Sequence, residues 1–279
     1  MKKLFVFIVT VITLSPPVFS GEYEDCLLEN MKGVTSDYAA QKIDESCKAK
    51  HSEANNTATS SQKESPQNFI ELEMNGGLFS STKPTYRLPM PSGNWEKIAE
   101  HKFTSRGGTP MSTQIFANIE GGKAKNVAIV NYSKTYSTGG NWSSKFCNRT
   151  NLHFIENYES RGSFRLNCLG VNHFRMVGGK SNKVNEAAKN WAKEKNIPIP
   201  STMVLHQHVI SNNNFLQVQV FYNPELEGFP PTVDSNWDSN DWHQDKISSD
   251  AERLAYIQKI LNEGKRYHAL YKAEFDKHD

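Results

Sequence analysis

From Trp95 onward, apolar and polar residues alternate in paired runs. MSTQIFANI and NVAIVNYSKTY flank Gly121 and Gly122, LHFIENY and SFRLNCLGVNHFRMV flank ESRG, and TMVLHQHVI and FLQVQVFY flank SNNN. Strand-like runs joined by short turn-forming segments predict three β-hairpins. Between the second and third hairpins the period changes. Val184, Ala187, Ala188, Trp191 and Ala192 recur at i, i+3, i+4, i+7 and i+8, which predicts an amphipathic helix ended by Pro198 and Pro200. Near the end, Ser249 and Glu252 match a capping box, with Asp250 at the positive helix end. Leu254, Ile257 and Leu261 carry an apolar face, in a helix running toward Phe275 with a kink at Gly264. The fold class expected is α+β: an antiparallel sheet of hairpins with one inserted and one C-terminal helix, both on one face.

The pattern before Trp95 is different. Lys2 and Lys3 precede an apolar run from Leu4 to Leu14, followed by Pro16, Pro17, Val18 and Ser20. A basic start, an apolar stretch too short to span a bilayer and a small-residue cleavage site predict a signal peptide over 1–20, with the mature chain beginning at Gly21. Residues 21–50 read as a helical hairpin. Asp25 to Met31 forms its first helix, Gly33 its turn, and Thr35 or Ser36 caps the second. Ala39, Ala40, Ile43 and Cys47 share one face of that second helix. Residues 51–68, HSEANNTATSSQKESPQN, have no apolar periodicity, so they are expected to be a flexible linker. The Gly-, Pro- and Ser-rich stretch that follows, to Gly93, is expected to wrap the main α+β domain (69–279) without entering its core.

The run from Tyr23 to Cys47, YEDCLLENMKGVTSDYAAQKIDESC, resembles a segment of many uncharacterised proteins of Gram-negative bacteria. The shared pattern is an aromatic, a Cys opening a helix, MKGV, then SD-x-AA-x-x-I and a second Cys. It covers about thirty residues, estimated from the span of the hairpin, and implies a type of module with no assigned activity.

Charge narrows the function classes. The chain has 32 basic and 30 acidic residues, and Lys2 and Lys3 are the two cations in excess. A mature chain with no net charge carries no electrostatic footprint for nucleic acid or an anionic membrane. The four cysteines are Cys26, Cys47, Cys147 and Cys168. An even count in an exported chain suggests two disulfides, for which three pairings exist. Each near-neighbour pair falls within one supersecondary unit, which favours Cys26–Cys47 and Cys147–Cys168.

The chain lacks a nucleophile elbow, a P-loop, a dinucleotide-binding glycine fingerprint and an HExxH motif. His206 and His208 alternate on one strand and point to one face beside Val204 and Ile210, a spacing that suits a shared zinc or copper ion. His153, His173 and His243 are the candidate further ligands. Ordinary sheet packing of two histidines competes with that reading. Asp234, Asn236, Asp238, Asn240 and Asp245 occupy positions 1, 3, 5, 7 and 12 of a calcium-loop spacing. Ser239 stands where that loop needs Gly, and Asp245 where it needs Glu. Trp237, Trp242 and His243 lie in the same stretch, together with Phe229. Aromatics beside acids make a sugar- or peptide-binding surface, or they anchor a long loop to the core.

The reading that results is a periplasmic or secreted bacterial protein working as a non-enzymatic binding module. Its expected partner is another envelope or extracellular protein, with no nucleic acid involved. The alternatives are an exported hydrolase built on residues such as His206, His208, Asp238, Asp241 and His243, and a structural calcium or zinc protein.

Overall fold

The hairpins read from the alternation are present. The computed structural model describes residues 68–74, 85–135, 142–161, 165–176, 183–232 and 236–278. The chain divides into two units, Met1–Glu64 and Ser65–Asp279, and every described residue belongs to the second. The signal segment, the helical hairpin, the Cys26–Cys47 pairing and residues 51–67 of the linker lie outside the described residues.

The strands are β1 (Asn68–Glu73), β2 (Thr85–Met90), β3 (Trp95–Thr104), β4 (Pro110–Glu120), β5 (Lys123–Ser133), β6 (Phe154–Arg161), β7 (Arg165–Arg175), β8 (Thr202–Ser211) and β9 (Phe215–Tyr222). The helices are α1 (Lys183–Glu194), α2 (Gln244–Ile247) and α3 (Ala251–Asp276), with a 3₁₀ turn at Pro224–Glu227. Strands β3 to β9 form one antiparallel sheet in the order β3-β4-β5-β9-β8-β7-β6. The β4–β5 turn places Gly121 at φ 57° and Gly122 at φ 76°. Both are left-handed, the geometry a two-residue hairpin needs and glycine adopts without penalty. The α+β class is therefore met by a mostly antiparallel sheet with few helices.

Both faces of the sheet are covered, which corrects the expectation that both helices share one face. Ala128, Val130, Leu169, Val171, Val204, Ile210, Val218 and Val220 form one core with Ile257, Ile260, Leu261, Tyr267, Tyr271 and Phe275 of α3. On β5 the intervening Val127 and Ile129 point the other way and pack near Val184 and Ala188 of α1. Period-2 alternation shows that a strand has two faces but not which helix each face receives. Strand β8 is buried at all ten positions, as expected of a strand sandwiched between layers.

Two further corrections concern local elements. The stretch before Gly93 contributes to the core: Ile70, Leu72, Met74, Tyr86, Leu88 and Met90 are all buried in the α3-side cluster. Strands β1 and β2 form their own two-stranded sheet, and Tyr86 stacks parallel to Phe275 with ring centroids 6.3 Å apart. The cap of α3 is Asp250 rather than Ser249; its carboxylate accepts from the Arg253 backbone N–H at 3.0 Å. Gly264 lies inside a helix assigned without interruption from Ala251 to Asp276, at a close approach to the sheet.

The pairing Cys147–Cys168 is formed, with Cα atoms 5.6 Å apart. It ties the segment before β6 to β7, inside a second apolar cluster with Trp142, Leu166 and Val209.

Candidate functional site

His206 and His208 sit at neighbouring same-face positions of β8, as their spacing predicts, and both are fully buried under α3. Their ring nitrogens do not converge on an open point. His206 Nδ1 meets His208 Nε2 at 2.7 Å, and His208 Nδ1 meets Nδ1 of His268 on α3 at 3.1 Å. At the outer ends, His206 Nε2 lies 2.9 Å from the Tyr222 hydroxyl of β9, and His268 Nε2 lies 2.7 Å from Asn167 Oδ1 of β7. Every imidazole nitrogen of the three rings has a hydrogen-bonding partner, which is what makes burial of three polar rings tolerable.

Burial keeps these rings neutral. Desolvation pushes His206 down to about 3 and His268 down to about 4, and it holds His208 well below the ordinary value. The same desolvation raises Tyr222 and Tyr271 well above the ordinary phenol range. The helix reaches the string because position 264 is Gly: a Cβ there would stand 3.0 Å from His206 Cβ and 3.3 Å from its Cγ.

At the Tyr222 end the string meets a cleft of about 520 Å³ between the end of β9, the 3₁₀ turn and α3. Glu263 of α3 lines it, and so does Tyr222, whose hydroxyl is held by His206 Nε2. Burial raises the Glu263 carboxyl, opposed by that hydroxyl and by Arg266 and Lys259. Tyr256 and Tyr267 add two more phenols, with Tyr267 pushed up to about 12 by desolvation. The charged side chains of the wall are matched in pairs: Lys125–Glu120 at 2.5 Å, Lys259–Glu227 at 2.9 Å and Arg266–Glu263 at 4.0 Å. Asn126 and Asn223 donate to the carbonyls of Phe221 and Ala124, so they hold the floor of the cleft in place.

His153, His173 and His243 gather with one another rather than with His206 and His208. His153 Nε2 and His173 Nδ1 are 3.3 Å apart, and His243 stands edge-on to His173 with centroids 6.0 Å apart. Trp237 stacks over His173 at 4.1 Å. Desolvation lowers His153 to about 4 and His173 to about 3. His243 is the cap of α2, its Nδ1 accepting from the Asp245 N–H at 3.4 Å.

The calcium-spaced residues are placed separately. Asn240 is fully buried; its amide donates to Thr202 Oγ1 and its oxygen accepts from the Trp242 N–H, both at 2.9 Å. Asn236 and Asp238 are exposed, Asp245 faces His243, Asp241 lies 3.9 Å from Lys246, and Asp234 lies outside the described residues. Among the described residues, no group of three or more His, Cys, Asp or Glu side chains is arranged to hold a metal ion. Trp242 is buried against Phe229 and Tyr256, so it anchors its loop to the core.

Sequence reasoning found His206 and His208 but missed Tyr222, Glu263, Arg266, His268 and Asn167. One signal was available. On α3, Ile260, Gly264, Tyr267, His268 and Tyr271 recur at helical spacing, so a core-facing stripe carries hydroxyls and an imidazole where aliphatics would serve packing alone. Comparison of the chain with protein-family models, with curated proteins and with solved structures returns no match.

Proposed function

We propose that the protein is an exported, non-enzymatic binding protein whose β9–α3 cleft takes a small uncharged polyhydroxylated ligand of the saccharide class. The observation that carries the reading is the composition of that cleft. Its volume falls within the range of ligand sites, about 300 to 1,000 Å³. Its cations and carboxylates neutralise one another in pairs, so it offers donors and acceptors without a net field. Phenol rings supply apolar faces beside them, the combination that a sugar's hydroxyls and C–H faces require. Export to the periplasm or beyond is supported by the basic-apolar N-terminal pattern and the Cys147–Cys168 disulfide. Among the described residues no helix is long and apolar enough to cross a membrane.

Titration calorimetry of the mature chain against a panel of mono- and oligosaccharides tests the proposal. Saturable heat is expected with at least one sugar, and its loss is expected in Tyr256→Ala and Tyr267→Ala. Absence of heat across the panel would sink it.

A second reading has its own observation. Glu263 is a carboxyl raised by burial that faces the cleft beside a tyrosine hydroxyl, the setting of a general acid. An exported hydrolase built on it would release chromophore from aryl glycosides or aryl esters, and Glu263→Gln would abolish that release.

A further inference from the structure

We propose that the gap between α1 and the sheet is a second binding site, and that it takes a medium-chain fatty acid, with the acyl chain against the sheet and the carboxylate at Lys189. A cavity of about 150 Å³ lies there. It sits on the face of the sheet opposite α3 and shares no lining residue with the β9–α3 cleft. The inference does not rest on the saccharide reading, and failure of sugar binding leaves it standing.

The sequence leaves this face short of cover. Along β5 the side chains toward α3, Ala128 and Val130, are fully buried, whereas Val127 and Ile129 on the α1 side are only half-buried. Helix α1 rests on β3 and β4, at one edge of the sheet. The residues it contributes nearest the floor are small, Ala188 and Ala192, so the helix stands over the space without filling it. Strand register carries the floor beyond the helix. Ala117 of β4 pairs with Val127, Val127 with Phe221 of β9, and Met203 of β8 with Phe174 of β7. All five line the cavity. Two irregularities add to it. The β3–β4 register shifts between Lys97 and Ala99, and the β4–β5 register shifts next to Ala124. A bulge re-aims a side chain, and Ile98 and Ala124 accordingly join the lining.

The chemistry of the wall selects the ligand. Apolar side chains make up most of it, including the ring of Trp191, whose indole N–H donates to Glu96 Oε1 at 3.3 Å. The polar side chains that line the cavity are Arg175, Asn185 and Lys189. Two of these are cations and none is an acid, unlike the β9–α3 cleft, where cations and carboxylates are paired. Lys189 is half-buried and makes no salt bridge among the described residues. An apolar cavity with an unmatched cation in its wall complements an apolar chain that ends in an anion. A polyol would leave hydroxyls without partners against these walls, and a cationic amphiphile would meet Arg175 and Lys189. A space of this size holds about six carbon atoms, the size of a benzene ring. With the carboxyl end reaching Lys189, the acid that fits has about eight carbons. Phe174 is 43% exposed, so the cavity opens to solvent at the end of β7.

Methyl NMR of the mature chain, labelled at Ala, Ile, Met and Val and titrated with sodium octanoate at about pH 8, tests the proposal. Octanoate is ionised at this pH, and the range in which the buried histidines would take up protons lies well below it. Saturable shifts are expected at Ile98, Val127, Ile129 and Met203, with little change at Val204 and Val218 on the α3 side. Affinity should rise about fourfold per methylene from butanoate to octanoate and level off in longer acids, once the cavity is full. Lys189→Gln should weaken octanoate binding about fivefold and leave 1-octanol binding unchanged, a split that a merely structural role for Lys189 would not produce. Octylamine should bind more weakly than 1-octanol. Ala188→Leu fills the cavity from the helix and should abolish binding of octanoate and octanol alike. If that variant does not fold, the Lys189→Gln split decides alone. Absence of saturable shifts at the four residues, an affinity that keeps rising to dodecanoate, or octylamine binding as tightly as octanoate would each overturn the proposal. So would a Lys189→Gln chain that loses no more affinity for octanoate than for octanol, or a folded Ala188→Leu chain that still binds.

Discussion

Gly264 shows how one missing side chain sets a site. A methyl at this position would meet His206 Cβ at 3.0 Å and Leu169 Cδ1 at 3.2 Å. His206 cannot swing away, because its nitrogens are held by Tyr222 and His208. Replacing Gly by Ala in a helix interior gains about 1 kcal/mol of propensity. Overpacking a held contact costs about 1 to 3 kcal/mol. Gly264→Ala should therefore lose stability by about 1 kcal/mol in urea unfolding, and a more stable variant would show that α3 can lift off β8. His208→Phe keeps the ring volume but leaves His206 and His268 each with an unmet buried nitrogen, at about 1 to 3 kcal/mol apiece. A loss of at least about 2 kcal/mol is expected in the same measurement, and a neutral result would mean that water replaces the lost partner.

At the scale of elements, α3 depends on its ends as well as its buried face. Asp250 accepts from the Arg253 backbone N–H and also pairs with the Arg253 guanidinium. Asp250→Ala should destabilise the domain by about 1 kcal/mol, whereas Ser249→Ala should be close to neutral. Thermal unfolding of the two variants decides between the caps, and equal effects would return the capping role to Ser249. The sequence pattern allowed this one-residue ambiguity because Ser249 and Asp250 are both good caps. The hairpins around Gly121 and SNNN were legible because strict alternation and turn residues coincide there. Strands β1 and β2 were hidden, since each has only six residues in a polar, Gly- and Pro-rich context. The candidate site was half legible. His206 and His208 declare a shared face by spacing alone. His268, which partners His208, and Asn167, which partners His268, are separated by 101 residues, and meet only because β7 and α3 pack on the same strand. No local pattern carries that information.

At the scale of the whole molecule, two features limit how the fold survives its surroundings. The first is the Cys147–Cys168 disulfide, whose sequence separation is 21. Closing a loop of that length restrains the unfolded chain by about 3 kcal/mol. Replacing both cysteines by Ala should lower stability by a comparable amount, measured by urea unfolding under oxidising conditions. A loss below about 1 kcal/mol would assign the cluster's stability to Trp142, Leu166 and Val209 instead.

The second feature is the concentration of neutral imidazole in the core. Burial depresses His153 and His268 to about 4, His173 and His206 to about 3, and His208 well below the ordinary value. The unfolded chain takes up these protons near pH 6.5, while the folded chain resists them until about pH 4. The stabilising contribution is thus full above about pH 6.5 and falls as the pH drops through the window below it. Each imidazole contributes a slope of about 1.4 kcal/mol per pH unit there, so five acting together approach about 7. Glu263 opposes them with a single proton, because its raised carboxyl favours the fold at lower pH. The lowered carboxyls Glu100, Glu274 and Asp250 add to acid loss only below about pH 4, where the unfolded chain protonates them. Since a domain holds about 5 to 15 kcal/mol in total, this slope predicts cooperative acid unfolding between about pH 5 and 6, well above the range where carboxylate protonation unfolds most proteins. Urea unfolding at half-unit steps from pH 8 to 4.5 measures the slope directly. A stability flat from pH 7 to 5 would show that the unfolded chain does not gain these protons, or that the folded core admits them without cost.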